Sequence, residues 1–575
     1  MRRPLLVLLA LTSLPAVARA ADPEPDPRVL VLDAMSAELD RSMARLRMKG
    51  FEAPYFLSYT VRDYQTVDIQ AKTGAVFIDN RTHNRQAYVE VRVGDYLFDN
   101  TADVTPTNDL QPMNDEVYEP GAEVPIDDDA DALRGTLWLL TDSRYKAALS
   151  TLNQRRGVRA TTVVEDETLP SFAKPVEPLP RAVDPPRPLV VDRAAWARRL
   201  RVASAVMKKH PGVFDSELRF QVTREIRHLV TSEGAHLITE RMIYGVHLQG
   251  VTRANDGILL EHARSFYGAS EDELPDEATL AASFDRLGTE LDALKRAPVL
   301  DPYTGPAILM EEATGVLFHE VIGHRLEGER LSDDNDGQTF KGQVGQPVLP
   351  KFLDVIDDPT QAKQGAISLN GHYAFDDEAM AARPVTLIDH GVLRTFLTSR
   401  KPVPGVLRSN GHGRAEGAAD PMARMGNTIV RSTRQVPFTR LKQMLLDEVR
   451  RQGKPFGLII RDITGGSTNT ASFGYQAFKG TPRLVYKVDA KTGAESLVRG
   501  VEMVGTPLTS INKIVATSDH VGVFNGFCGA ESGFVPVSTI APAVLLTEIE
   551  LQRSQRTRQK QTVLPPPWAD TPKTP

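Results

Sequence analysis

Two histidines five positions apart set the hardest local condition on this chain. They lie in His319-Glu320-Val321-Ile322-Gly323-His324, one residue longer than the common H-E-x-x-H pattern. Imidazole is a preferred zinc ligand, and a glutamate directly after it is placed to act as a base toward metal-bound water. At 3.6 residues per turn, side chains five apart point roughly 140° away from each other. A regular helix would not aim both rings at one ion. The sequence therefore predicts a local i→i+5 turn, or a kink at Gly323, where distortion costs least. Gly315-Val-Leu-Phe318 forms an apolar approach that would keep water away from such a site. The bland alternative is a helix with two satisfied histidines.

Two imidazoles do not complete a catalytic zinc site, which takes three protein ligands and an open position. Cys528 is the leading third candidate. It is the only cysteine of the chain and sits in the glycine-rich Phe524-Asn-Gly-Phe-Cys528-Gly-Ala530. An inert buried thiol is an equally good reading of that residue taken alone. His520, Glu327 and Glu329 are weaker candidates, the two glutamates being readable as ordinary surface charges. His372, His390 and His412 fall in turns. Asp376-Asp377-Glu378 reads as a solvated acidic turn. Gly465-Gly466 lacks the lysine of a phosphate loop and reads as a turn or a close backbone approach.

Composition bounds the rest. With 575 residues, two or three domains are expected. A net charge of -6 argues against nucleic acid as a partner. Arg2-Arg3, the apolar Leu5–Val17 run and Ala18-Arg-Ala20 read as a signal peptide, so the chain is expected to be exported, periplasmic or secreted, without stable membrane insertion. One cysteine permits no internal disulfide.

The expected fold class is α+β (mixed α/β). An N-terminal α/β domain, residues 21–298, follows the signal peptide at 1–20. It carries a Pro-rich insertion near 166–190, expected to lie on the surface, with seven prolines between Leu169 and Pro188. A β-rich C-terminal domain, 299–552, holds the motif helix, and residues 553–575 form a disordered tail. Helical spacing marks Asp26–Met48, Asp127–Arg155, Asp192–Lys209 and Glu277–Lys295. Alternation marks strands over 53–101 and 215–258, with a turn at Ser232-Glu-Gly234. Val385–Ile388 and Val392–Leu397 read as a hairpin, and Leu484–Val488 with Ser496–Val501 as another around Gly493.

Gly315-Val-Leu-Phe-His-Glu-Val-Ile-Gly-His324, with Leu326-Glu-Gly328 after it, resembles the active-site helix of TldD/PmbA metallopeptidases. Val385–Leu397, Asn410–Arg414, Pro421–Asn427, Gly500–Gly505 and Cys528-Gly529 extend the resemblance in order. It implies a zinc peptidase with Zn2+ on His319, His324 and Cys528 and with Glu320 as the base. It also implies an enclosed site for unfolded, extended peptides, and a homodimer or a heterodimer with a motif-less relative. The rival readings are a secreted scaffold with a structural zinc and a metal-dependent amidase acting on other substrates.

Overall fold

The computed structural model describes residues 26–101, 122–161, 169–332, 339–468, 478–505 and 510–554, with 560, 562 and 564–569 of the tail. The signal-peptide reading and much of the predicted disordered tail lie outside these residues.

Among them the fold is mixed α+β, with an α/β N-terminal part and a β-rich C-terminal part. The N-terminal sheet is built on long antiparallel strands: β1 (Pro54–Lys72), β2 (Ala75–Val93), β4 (Val213–Thr231), β5 (His236–Arg253) and β6 (Leu259–Gly268). The short β3 (Arg181–Val183) pairs parallel to β5, giving the order β2-β1-β4-β5-β3 with β6 also on β5. Alternation divides its two faces. Leu57, Tyr59, Val61, Val67, Ile69 and Ala71 of β1 are buried. The first three pack with helices α1 (Pro27–Arg45) and α2 (Ala130–Thr161), the last three with α3 (Arg193–Ala205) and α4 (Glu277–Arg296). Aspartates start three of these helices. The carboxylates of Asp26, Asp192 and Asp276 accept from the amides of Arg28, Ala195 and Thr279.

The residues between the apolar ones turn to the C-terminal half. There Arg62 and Arg227 both pair with Asp377. The expected solvated acidic turn is thus buried. Asp376 accepts from the amides of Glu378, Met380 and Gly413. A charge removed from water needs such partners, and the two arginines come from strands more than a hundred residues away.

The Pro-rich insertion also differs from a pure surface strap. Phe172 is 1% exposed; its ring meets Phe56 at a tilt, and the guanidinium groups of Arg92 and Arg400 lie over it. Residues 181–183 supply β3.

The C-terminal half is organised around β7 (Tyr303–Leu309), β8 (Phe456–Thr468), β9 (Phe478–Asp489), β10 (Val501–Gly505), β11 (Ile514–Ala530) and β12 (Gly533–Arg553). Pairing runs β12-β10-β9-β8-β7 and returns from β7 to β12, closing a ring. Strands Asn427–Ser432, Leu353–Asp357, Val385–Asp389 and Val392–Leu393 extend the sheet from β12. The second arm of the predicted 385–397 hairpin ends at Leu393, because Leu397 instead exchanges backbone hydrogen bonds with Leu326 and Gly328, just past the motif. Helix α6 (Phe438–Arg451) was not expected. Its buried Leu441, Leu445 and Val449 recur every fourth residue, a signal present in the sequence.

Candidate metal centre

Helix α5 (Glu311–Phe318) leads out of β7 and packs on β11, β12 and β8. It brings the motif against the hairpin that β11 and β12 form. At His319 the helix changes its winding. Residues His319–Gly323 form one π turn, closed by the His324 amide donating to the His319 carbonyl. This is the i→i+5 bond that the spacing demanded, and it turns both rings to one side. Gly323 itself keeps right-handed helical angles, φ -53° and ψ -62°. The need for glycine there comes from packing: a Cβ would lie 1.9 Å from Met425 Sδ. Gly323→Ala is expected to cost about 1–3 kcal/mol through overpacking, and Met425→Ala in the same chain should recover most of it. Denaturant melts of the single and double variants check this.

The two rings meet edge to face, with centroids 5.0 Å apart. Cys528 Sγ lies 3.1 Å from His319 Nε2 and 3.3 Å from His324 Nε2. One donor atom from each residue falls within 4.8 Å of the others, and all three residues are buried. Burial alone would push the Cys528 thiol up, but the two imidazoles reverse this and hold it well below the ordinary thiol range. Burial likewise pulls His319 and His324 down, and the charges of Cys528 and Glu327 more than offset it. The cluster therefore favours a thiolate, the species that binds metal. Two nitrogens and one sulfur in this arrangement are a donor set that fits zinc.

Glu320 is buried beside them. Desolvation raises its carboxyl above the usual range against the pull of both imidazoles. Gly466 of β8 makes room for it, since a Cβ there would come 2.4 Å from Glu320 Cγ. The Gly465-Gly466 pair is thus a close backbone approach.

Glu327, read from sequence as a weak ligand or a surface charge, is neither. It is fully buried, and its Oε2 accepts from His324 Nδ1 at 3.1 Å. Burial would raise its carboxyl, yet His324 and Arg330 hold it well below the ordinary range. Its spacing of three from His324 was the available signal. Glu329 bonds Ser399 and the Ala423 amide, and the exposed His520 faces Glu311. Neither joins the cluster. His412 is buried against Asp357, and His390 is exposed beside Asp389.

A cleft of about 650 Å³ lies elsewhere, between the polar face of the N-terminal sheet and the hairpin. Phe527, Phe534 and Pro536 line it, and the three ligand candidates do not. Alternation puts Cys528 on the opposite face of β11 from Phe527. The convergent donors, rather than the cleft's size, mark the chemical centre.

Residues 302–553 match the family described as the PmbA/TldA metallopeptidase C-terminal domain. The chain is 30% identical over 254 residues to a metalloprotease of Archaeoglobus fulgidus, covering 44% of this chain and 54% of that protein. It is 23% identical over 253 residues to a zinc metalloprotease TldD homolog of Saccharolobus solfataricus, covering 43% and 51% respectively. The chain thus spans about half the length of the curated relatives it matches. TldE from Thermococcus kodakarensis shares the fold, with a TM-score of 0.59 at 13% identity over 90% of this chain and all of that one. With the ordered motifs and the matched domain in hand, the conclusion is that residues 302–553 of this chain are a C-terminal domain of the TldD/PmbA family.

Proposed function

We propose that this chain is an exported zinc-dependent peptidase that hydrolyses peptide bonds in unfolded or extended polypeptides. The observation that carries the reading is the convergence of His319, His324 and Cys528 in a buried cluster with Glu320 beside it. The metalloprotease names of the relatives support it. His319 and His324 would hold the ion through Nε2 and Cys528 through Sγ. Zinc bound there supplies Lewis acidity toward a carbonyl oxygen and toward water. The Glu320 carboxylate takes the proton of the attacking water and returns it to the leaving nitrogen. The apolar residues Val316, Leu317 and Phe318, all buried, keep bulk water from the approach. A buried base beside the cluster favours catalysis over a purely structural ion, which needs no proton acceptor.

Two further parts of the proposal concern the cell. The 1–20 pattern supports export, tested by whether the mature protein begins at Ala21. The family supports a homodimer or a pairing with a motif-less relative, read from its mass in solution. The decisive experiment measures zinc in the purified protein and its cleavage of an unfolded polypeptide. About one zinc per chain with chelator-sensitive cleavage is expected, on the three-ligand rule. Bound zinc without hydrolysis of any amide would favour a scaffold, and cleavage of small amides alone would favour an amidase.

A further inference from the structure

One buried ion pair bridges the segments that carry two of the three candidate ligands. His324 and Cys528 belong to segments 204 residues apart. Between them sit Glu327 and Arg424, each 0% exposed. Glu327 Oε2 accepts from His324 Nδ1 at 3.1 Å and from Arg330 Nε and Nη2 at 2.9 and 2.8 Å. Its other oxygen, Oε1, faces Arg424 Nε at 3.4 Å. Arg424 then reaches the hairpin with its remaining nitrogens. Nη2 donates to the Cys528 carbonyl at 2.6 Å, and Nη1 to Ser532 Oγ and the Gly533 carbonyl at 2.9 and 3.0 Å. Arg330 adds a second tie, to Glu531 in the same hairpin turn.

We propose that Glu327 and Arg424 are positioning residues that fix the His324 ring and the Cys528 backbone toward each other and so set the metal affinity of the site. The inference rests on the zinc reading above. Glu327 acts through the ring: with Nδ1–H held by a carboxylate, the tautomer is set and Nε2 is left as the free lone pair on the cysteine side. Arg424 acts through the backbone. A carbonyl held at Cys528 itself, with two more bonds to the turn that follows, fixes where Sγ projects. Glu327 keeps Arg330 when Arg424 is lost, whereas Arg424 without Glu327 loses its carboxylate partner in a dry region, which is costly. One pair thereby couples the ligand on the helix to the ligand on the hairpin.

The test uses the full chain carrying Glu327→Gln or Arg424→Lys, stripped of metal and reloaded. Zinc affinity is read by competition with a chromophoric chelator, and cobalt(II) absorption reports the thiolate and ligand geometry. Glu327→Gln is expected to weaken zinc binding by about 10–100-fold. Arg424→Lys, which keeps the buried charge but loses the fork, is expected to weaken the thiolate-to-cobalt band. Folding is followed by circular dichroism, with and without zinc. Folded variants that bind zinc within about twofold of wild type, with unchanged cobalt spectra, would overturn the proposal. So would variants that stay unfolded even with zinc, since that result assigns the pair to the fold alone. A wild-type chain that takes up no zinc removes the metal reading itself, an outcome distinct from equal binding by wild type and variants.

Discussion

Glu320→Gln is expected to lower the rate of peptide cleavage by about 10²–10⁴-fold, the span for losing a positioned general acid–base group, with zinc content unchanged. Its place directly after His319 commits the side chain to the cluster, and the π turn keeps it there. Burial raises its carboxyl, while the nearby imidazoles pull the other way. A carboxyl moved toward neutrality is better suited to take a proton and give it back than one fixed in its ionised form. Glutamine keeps the shape and removes the basicity, so folding and metal content are the internal controls. A loss of less than about tenfold would put the base elsewhere.

Gly466→Ala is expected to approach the same loss by a different route. The added methyl would lie 2.4 Å from Glu320 Cγ and 3.0 Å from both Cδ and Oε1. Such separations force the side chain to move, and a displacement of about 1 Å can cost 10²-fold in rate. Zinc content should hold, since the three atoms nearest the added methyl all belong to Glu320. Rates on an unfolded substrate, with zinc measured in the same samples, decide it. An unimpaired Gly466→Ala variant would mean that the glycine serves only the strand.

How far the sequence carried depends on whether a feature is local. The motif and its off-regular spacing were legible because the helix period is a local rule. The widened turn followed from it, although Gly323 answers to Met425 rather than to backbone freedom. The helices capped by Asp26, Asp192 and Asp276 were legible for the same reason. Helix α6 was equally local and went unread beside the strands around it. What the sequence hid was set by long-range pairing. Asp376–Glu378 looked like a wet turn because Arg62 and Arg227 lie far away in the chain. Glu327 looked like a surface charge because its role is shared with Arg424 and with a hairpin two hundred residues on. Phe172 looked like part of a strap because its aromatic and arginine partners lie outside it.

The closed ring gives the candidate site a place in time as well as in space. Strand β7 runs directly into the motif helix, and β12 is the second arm of the cysteine hairpin. These first and last strands of the ring pair with each other. Among the described residues of the C-terminal half this is the strand pairing of greatest sequence separation, a contact of high order and slow formation, and it lies beside the donors. A chain in which the β11–β12 hairpin has yet to dock beside β7 displays two histidines with Cys528 not yet beside them. Under the proposed ligand set, tight metal capture is reserved for the finished fold. Because such an ion binds the native state and hardly the unfolded one, it would draw the folding equilibrium forward by mass action, so metal supply would govern how much of the folded chain persists.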